Sequence, residues 1–484
     1  MPVTNPTPRI PQSQQLLDCA AGVGLFCSRE GQPFARFRIS SEGGHLLWPL
    51  RSSVFRSWLI NRYDEIRPDP ARSHTVRDAI RTLEARAFFN KAPLQRIGRR
   101  ISPFPPDLES SAGPGIVLDL HDGNGQVVEI GPTGWRVEGY TDSCIAHGPS
   151  ALPLPMPRQS PHSISSGRDP LHTLAAMFSF PSAQHWHRCL AWLLAALRPQ
   201  GPYPILIISG PAGSGKSTLA RFLRHLVDPS LVPFSPLPGN ADRLLRLAWD
   251  HWVLAFDHVS KIPQSAVDSI CRVASGGGFI LPDSARDRVP VNICRPIILT
   301  GSSSLAQHPD LASLALHVEL TSIGAARRRP ESALQADFAG VHATALGALC
   351  NALSIALSRV GSVHVPAAPR LADLAYWTAA AAPAVAVTER EFLAALDPAG
   401  SAPSPDLIVD AVRGWMSTQP SWSGSATELL AHLRGLRVPG LPLSAKGLSQ
   451  YLNKMSHQLH SAGIHVQSSR LSGTQRVLKM THHA

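Results

Sequence analysis

The sequence predicts an α/β fold whose centre is a parallel sheet with crossover helices, and three observations support this. Residues 203–209 form an unbroken apolar run, as in a strand buried on both faces of a parallel sheet. A glycine-rich turn follows and opens a helix at 216–227 with apolar residues on one side. Short apolar runs then alternate with helical segments, the pattern of parallel strands joined by helices. The predicted strands are 203–209, 231–234, 252–256, 296–300 and 316–320.

The chain is long enough for several domains at about 100–200 residues each. Segments rich in Pro and Ser mark the expected boundaries. We expect a disordered tail at 1–32, a small α+β module at 33–146, a linker at 147–170, the α/β core at 171–325, a helical lid at 326–397, a second linker at 398–420 and a small C-terminal domain at 421–484.

Composition favours a globular protein with a polyanionic partner. The hydrophobic fraction is 44% and the formal net charge is +11, with Arg far outnumbering Lys. Such a basic excess makes nucleic acid the first candidate partner, although genomic base composition would also raise the Arg content. The seven cysteines include no Cys-x-x-Cys pair, which argues against a disulfide framework and a zinc ribbon.

Neither secretion nor membrane insertion is predicted. The N-terminal segment lacks a basic region followed by an apolar one, so we expect no secretory signal. The segment identified as most apolar, 371–387, is shorter than the roughly 20 residues of a membrane span. We therefore expect a cytoplasmic protein.

The turn after the first central strand has the full Gly-x-x-x-x-Gly-Lys-Ser pattern of a phosphate-binding loop, in the required strand–turn–helix context. Glycines allow consecutive backbone N–H groups to point at phosphate oxygens, and the following helix adds its free N–H groups. Lys216 would meet the β- and γ-phosphates of ATP, and the Ser217 hydroxyl would bind Mg²⁺. The loop, called the glycine loop below, comprises Gly210, Pro211, Ala212, Gly213, Ser214, Gly215, Lys216, Ser217 and Thr218.

A second motif element is the acidic residue that ends the strand predicted at 252–256. Asp257 follows the glycine loop by about forty residues, where phosphate-loop ATPases keep a carboxylate that orients Mg²⁺. The alternative is an aspartate that caps the next turn.

Together these elements resemble the AAA+ ATPases, and within them the superfamily 3 helicases, especially the ATPase part of phage- and plasmid-type primase–helicase proteins. The resemblance covers roughly 171–400 and includes Gly-Gly-Gly at 276–278, a predicted β-hairpin at 280–293 and the strand ending at Thr300. It implies a ring-forming homo-oligomer that binds ATP and Mg²⁺ and acts on single-stranded or forked DNA in a mobile genetic element, with a separate primase or other replication proteins. In the family, the hairpin contacts DNA, which points to Arg286 and Arg288, and Thr300 or Ser302 would sense the γ-phosphate.

Two departures from the family pattern leave other functions open. His258 stands where many AAA+ ATPases carry a catalytic Glu, and Leu314 stands where an arginine finger is frequent; the basic run at 327–329 is a possible substitute. These departures favour a nucleotide-gated DNA-binding switch with little or no hydrolysis. A small-molecule kinase is a second alternative, since the glycine-loop sequence is common in such enzymes.

The terminal regions suggest further nucleic-acid contacts. Helices at 426–433 and 444–459 followed by a hairpin resemble a winged helix, whose basic residues would be Lys446, Lys454, Arg470 and Arg476. A small protein–protein module is the alternative.

In the N-terminal module, arginines interleave with Trp48 and Trp58, which suits single-stranded nucleic acid but also fits scattered surface Arg. Residues 1–150 show no polymerase carboxylates, so a primase is not predicted.

Overall fold

The structure is a computed structural model of the 484-residue chain, and it divides into two compact units, Met1–Leu396 and Asp397–Ala484. The described residues are 10–38, 45–67, 69–89, 94–95, 97–104, 115–139, 145–146, 148, 150–159, 169–260, 262–282, 288–305, 308–365, 369–396, 407–417, 419, 421–436, 441–442, 444–455, 459, 463–470 and 476–482.

The first part of the larger unit is a three-stranded antiparallel sheet packed on three helices. Its strands pair in the order β1-β2-β3. The predicted disorder of 1–32 is wrong for residues 12–27, because Leu16 is fully buried in this core beside Phe55 and Leu59. The elements are α1 (Gln12–Cys19), β1 (Gly24–Cys27), β2 (Pro33–Arg38), β3 (His45–Pro49), α2 (Ser53–Asp64) and α3 (Ser73–Phe89).

A second antiparallel sheet follows, and it belongs to the core of the central domain. It consists of β4 (Ile101–Phe104), β5 (Gly115–Asp119), β6 (Gln126–Gly131) and β7 (Gly134–Gly139), in that order. Apolar side chains of β5 and β6 share one hydrophobic cluster with the helices of the central domain, so this sheet is not part of a separate module.

The predicted linker at 147–170 is also integrated into the larger unit. Leu154 is buried, the Leu152 N–H donates to the Pro229 carbonyl (2.9 Å), and the Arg158 N–H donates to the Ala343 carbonyl (2.9 Å). These contacts fix residues 150–158 against the central domain.

The central sheet is parallel, with the strand order β13-β8-β12-β9. Ile205 and Ile207 face one hydrophobic cluster and Leu206 and Ile208 face another, so helices cover both faces. The elements are α4 (Pro170–Ala175), α5 (Ala183–Ala196), β8 (Ile205–Ser209), α6 (Lys216–Val227), α7 (Ala241–Asp250), β9 (Leu254–Val259), α8 (Gln264–Ser275), β10 (Gly277–Pro282), β11 (Arg288–Ile293), β12 (Ile297–Gly301), α9 (Pro309–Ala312) and β13 (Ala315–Glu319).

One predicted strand of this sheet is absent. Residues 231–234 are not a strand, and Leu231 and Val232 are 69% and 54% exposed. The flanking residues form isolated bridges, Ser230 to Ala151 and Ser235 to Phe256. The segment was predicted as a strand because it is apolar, but it has no neighbouring strand to pair with along its length.

Three helices complete the larger unit: α10 (Glu331–Arg359), α11 (Ala372–Ala381) and α12 (Glu389–Leu396). Helix α10, rather than the segment 371–387, is long and apolar enough to cross a membrane, and half of its apolar window is buried inside the protein. It packs on α4, α11 and the β6–β7 pair, which are the contacts of a core helix.

The described residues of the smaller unit form three helices and a three-stranded antiparallel sheet of order β14-β16-β15. Its elements are α13 (Leu407–Met416), β14 (Ser421–Gly424), α14 (Ala426–Gly435), α15 (Ala445–Lys454), β15 (Ile464–Arg470) and β16 (Arg476–His482). Helix α13 lies within the predicted linker 398–420. Val412 and Met416 are fully buried in the core of this unit, so that segment is part of the domain.

Candidate functional site

The candidate site lies where the carboxyl ends of three central strands meet. The glycine loop follows β8, Asp257 lies in β9, and Thr300 lies near the end of β12. Parallel pairing aligns Ile208 with Thr300 and Ser209 with Gly301, which brings the ends of β8 and β12 together. Ligands of open parallel sheets bind at this edge.

The glycine loop has a backbone that only glycine accommodates easily. Gly210, Gly213 and Gly215 have φ angles of +147°, +74° and +89°. A Cβ on Gly210 would lie 2.4 Å from the Leu320 carbonyl oxygen and 2.9 Å from Ser214 Oγ, so the backbone just after β13 leaves no room for a side chain. The loop therefore presents backbone N–H groups and the start of α6 at its mouth.

Lys216 folds back over this mouth. Its Nζ donates hydrogen bonds to the carbonyl oxygens of Gly210 (2.8 Å) and Pro211 (2.7 Å). The Ser214 hydroxyl is fully buried below and has no hydrogen-bond partner among the described residues. An ammonium group, unengaged polar groups and a constricted backbone at a helix start are the chemistry of an anion site.

Ser217, Asp257 and Thr300 converge beside the loop. Ser217 Oγ donates to Asp257 Oδ1 (3.0 Å), and Thr300 Oγ1 donates to the same oxygen. The Asp257 side chain is 14% exposed and therefore still reaches solvent. A carboxylate next to two hydroxyls offers oxygen ligands of the type that Mg²⁺ prefers.

His258 occupies a distortion of strand β9. It has a φ of +55°, and the pairing of β9 with β12 shifts register between Leu299 and Gly301. Its N–H donates to Thr300 Oγ1 (3.2 Å), while the ring is 87% exposed with Nε2 3.4 Å from Asp257 Oδ2. A strand bulge of this kind re-aims a side chain, and here it holds an imidazole beside the aspartate.

The two positions considered for an arginine finger, Leu314 and the basic run at 327–329, differ in exposure to solvent. Leu314 packs against the hydrophobic cluster on one side of the sheet. The basic run at 327–329 is exposed: Arg329 pairs with Asp337 (2.7 Å), and Arg328 Nε donates to the Ile323 carbonyl (3.4 Å). Ile323 itself lies next to Gly215. This run is therefore near the glycine loop of its own chain.

The predicted DNA-contacting residues are only partly described. Strands β10 and β11 form the predicted hairpin, in which Pro282 pairs with Arg288. Lys446 is exposed on α15. Arg286 lies outside the described residues, as do the side chains of Arg288, Lys454, Arg470 and Arg476.

The aromatic and basic residues of the N-terminal part are engaged in local contacts. Trp58 packs on Phe37 and Phe55, and its Nε1 donates to the Arg38 carbonyl (2.9 Å). Arg51 forms an ion pair with Glu84. These contacts favour the structural alternative over a single-strand binding face.

Comparison with known proteins identifies a replication protein. Residues 171–399 match the family model of the actinomycete integrative conjugative element replication protein, and residues 408–484 match the model of the AICE RepA C-terminal domain. No curated protein matches the sequence.

Two solved structures show distant similarity. An apo form of the NrS-1 C-terminal region aligns over 98% of this chain and 99% of its own, with 8% identity and a TM-score of 0.40. The JCV helicase aligns over 46% of this chain and 76% of its own, with 14% identity and a TM-score of 0.23. Likenesses this small carry no argument about activity. The two family models match adjacent parts of the chain and together indicate a replication protein of a mobile element, similar to those of actinomycete integrative conjugative elements.

Proposed function

We propose that this chain is an ATP-binding ATPase of the AAA+ type that acts on DNA as a superfamily 3-like helicase or replication-initiation motor. One observation carries the proposal: the glycine loop, Lys216, Ser217, Asp257 and Thr300 meet at the carboxyl edge of one parallel sheet. Lys216 and Ser217 belong to the glycine loop, whereas Asp257 and Thr300 lie in other strands, so the meeting of these two residues with the loop is independent support.

ATP and Mg²⁺ fit the residues present. The close contact between the Gly210 backbone and the Leu320 carbonyl, and the buried hydroxyl of Ser214, suit a phosphate held by backbone N–H groups. Lys216 would exchange its two carbonyl partners for phosphate oxygens, and Ser217 and Asp257 would hold Mg²⁺, which neutralises phosphate charge when bound. Thr300, already hydrogen-bonded to Asp257, would report on the terminal phosphate.

DNA is the proposed partner, and the match to a replication-protein model supports this because replication acts on DNA. The net charge of +11 favours a polyanion. We further propose that the C-terminal unit acts as a winged-helix-like DNA-binding domain and that the protein works as a ring-forming homo-oligomer with separate primase or replication partners.

A nucleotide-gated DNA-binding switch is the second candidate, and His258 is the observation that favours it. The residue beside Asp257 is an exposed imidazole rather than a carboxylate that would activate water. A small-molecule kinase has less support, because the hairpin β10–β11 and the C-terminal unit have no evident role in such an enzyme.

Steady-state ATP turnover with and without single-stranded DNA separates the three functions. The motor predicts DNA-stimulated turnover that Lys216→Ala abolishes. The switch predicts ATP binding without turnover, and His258→Glu should then raise turnover. Turnover that requires a small acceptor and ignores DNA would support the kinase and contradict the proposal.

A further inference from the structure

A second polar cavity lies at the opposite edge of the central sheet. It encloses about 280 Å³ and is bounded by Tyr203, Trp252 and Cys294, which precede β8, β9 and β12. The glycine loop follows the other end of β8, which spans roughly 16 Å at about 3.3 Å per residue. Ligand cavities begin at roughly 300 Å³, so this space suits a small group rather than a large cofactor.

Arg99 is the unusual residue of this cavity. It is only 8% exposed, and its guanidinium lies over the Trp249 ring, 5.4 Å from the centroid. Among the described residues it makes no hydrogen bond and no ion pair. Asp250 and Glu30 favour its charge from beyond ion-pair distance. Buried guanidinium groups without partners are rare because the desolvated charge is unfavourable.

The charge on Arg99 persists at neutral pH. Burial, with the nearby Arg295, lowers the pKa of Arg99 to about 10, which leaves the group protonated at pH 7. Arg295 lines the same cavity, where its guanidinium stacks 5.2 Å from the centroid of Trp252 and its Nε donates to the carbonyls of Ala248 and His251. Arg295 is thus fixed in place, while Arg99 retains donors for a ligand.

We propose that this cavity binds a phosphate group, carried by a free nucleotide or by a single DNA strand, with Arg99 as its principal ligand. A guanidinium offers planar paired donors that match phosphate oxygens, and the half-buried Trp249 ring beside Arg99 suits an attached base or sugar. The cavity adjoins the end of β11, so a bound strand would pass the base of the hairpin. This site is independent of the proposed ATP site and does not require ATP turnover.

The test uses the full-length chain with Lys216→Ala, which removes the main phosphate ligand of the glycine loop. Calorimetric titration with inorganic phosphate, a deoxynucleoside monophosphate and a short single-stranded oligonucleotide distinguishes a free nucleotide from a strand. We expect at least one probe to bind, and Arg99→Met to weaken it about 10–100-fold, as loss of charged hydrogen bonds implies. Arg81→Met removes an exposed charge elsewhere and should leave binding unchanged.

Thermal unfolding provides a second readout. Without ligand, Arg99→Met should unfold at the same or a higher temperature, because it removes a buried charge that has no ion pair among the described residues. If Arg99→Met does not fold, Arg99→Lys keeps the charge but not the fork and should still weaken binding. Absence of binding by every probe, or equal binding by the Arg99 and Arg81 variants, would overturn the proposal.

Discussion

A buried ion pair between Arg100 and Asp228 joins the second antiparallel sheet to the central domain. Arg100 Nε lies 3.1 Å from Asp228 Oδ1, and the two side chains are 2% and 7% exposed. The Arg100 guanidinium also donates to the carbonyls of Asp119 (3.2 Å) and Leu152 (2.8 Å). Arg100→Met would remove every one of these contacts while keeping an apolar side chain of similar length.

The expected loss follows from what remains around Asp228. Its Oδ2 keeps the N–H groups of Trp252 and Val253 (both 3.0 Å), but the carboxylate loses its paired cation. Breaking a buried pair in this way costs about 3–5 kcal/mol. Burial alone would raise the pKa of Asp228, yet Arg100 and Arg224 hold it below its usual value. The stabilisation from ionised Asp228 is therefore fully present above the pKa of the unfolded state and is lost as the pH falls from there through the lower pKa of the folded state.

Urea unfolding followed by tryptophan fluorescence measures this loss at pH 7. The control is Arg136→Met, since Arg136 is 67% exposed and its pairing with Glu129 contributes at most about 1 kcal/mol. If Arg100→Met costs less than about 1 kcal/mol, the sheet is not anchored through this pair and the reasoning is refuted.

Three further predictions concern the glycine loop, His317 and the smaller unit. Gly210→Ala should weaken ATP binding by roughly 2–4 kcal/mol and Gly213→Ala by about 1, because only the first adds a backbone clash to positive-φ strain; equal losses by calorimetry would contradict this. Burial and Arg188 lower the pKa of His317 to about 4, so the urea midpoint should decrease as the pH is lowered from 6.5 to 4. His317→Asn should make this decrease of the midpoint with pH less steep, and an unchanged steepness would exclude His317 as a contributor. Ser425→Ala breaks a capping box and should destabilise the smaller unit by about 1 kcal/mol without affecting ATP affinity, as unfolding and titration can check.

The sequence was most informative where the candidate site consists of contiguous residues. The glycine loop could be predicted because its glycines, Lys216 and Ser217 are adjacent in sequence, and its strand and helix have clear periodicity. Asp257 and Thr300 could be placed because each closes an apolar run in the sequence, and parallel strands bring their carboxyl ends together.

Tertiary packing was not accessible from sequence in the same way. The second antiparallel sheet, β4 to β7, was predicted as part of a separate module because an alternating sequence pattern does not reveal which partner covers the apolar face. Helix α13 was assigned to a linker because the Pro-rich residues before it masked a short apolar helix. The second cavity is lined by Arg99, Trp249 and Arg295, which are far apart in the sequence, so no sequence motif predicts that they lie together.

The central claim is that the glycine loop holds the phosphates of ATP, and equilibrium binding of ATP with Mg²⁺ tests it most directly. Calorimetry on the full-length chain should give saturable binding that Lys216→Ala abolishes or weakens at least tenfold, since a charged hydrogen bond contributes about 1.5–3 kcal/mol. A Lys216→Ala protein that stays folded and binds ATP as tightly as the wild type would contradict the claim.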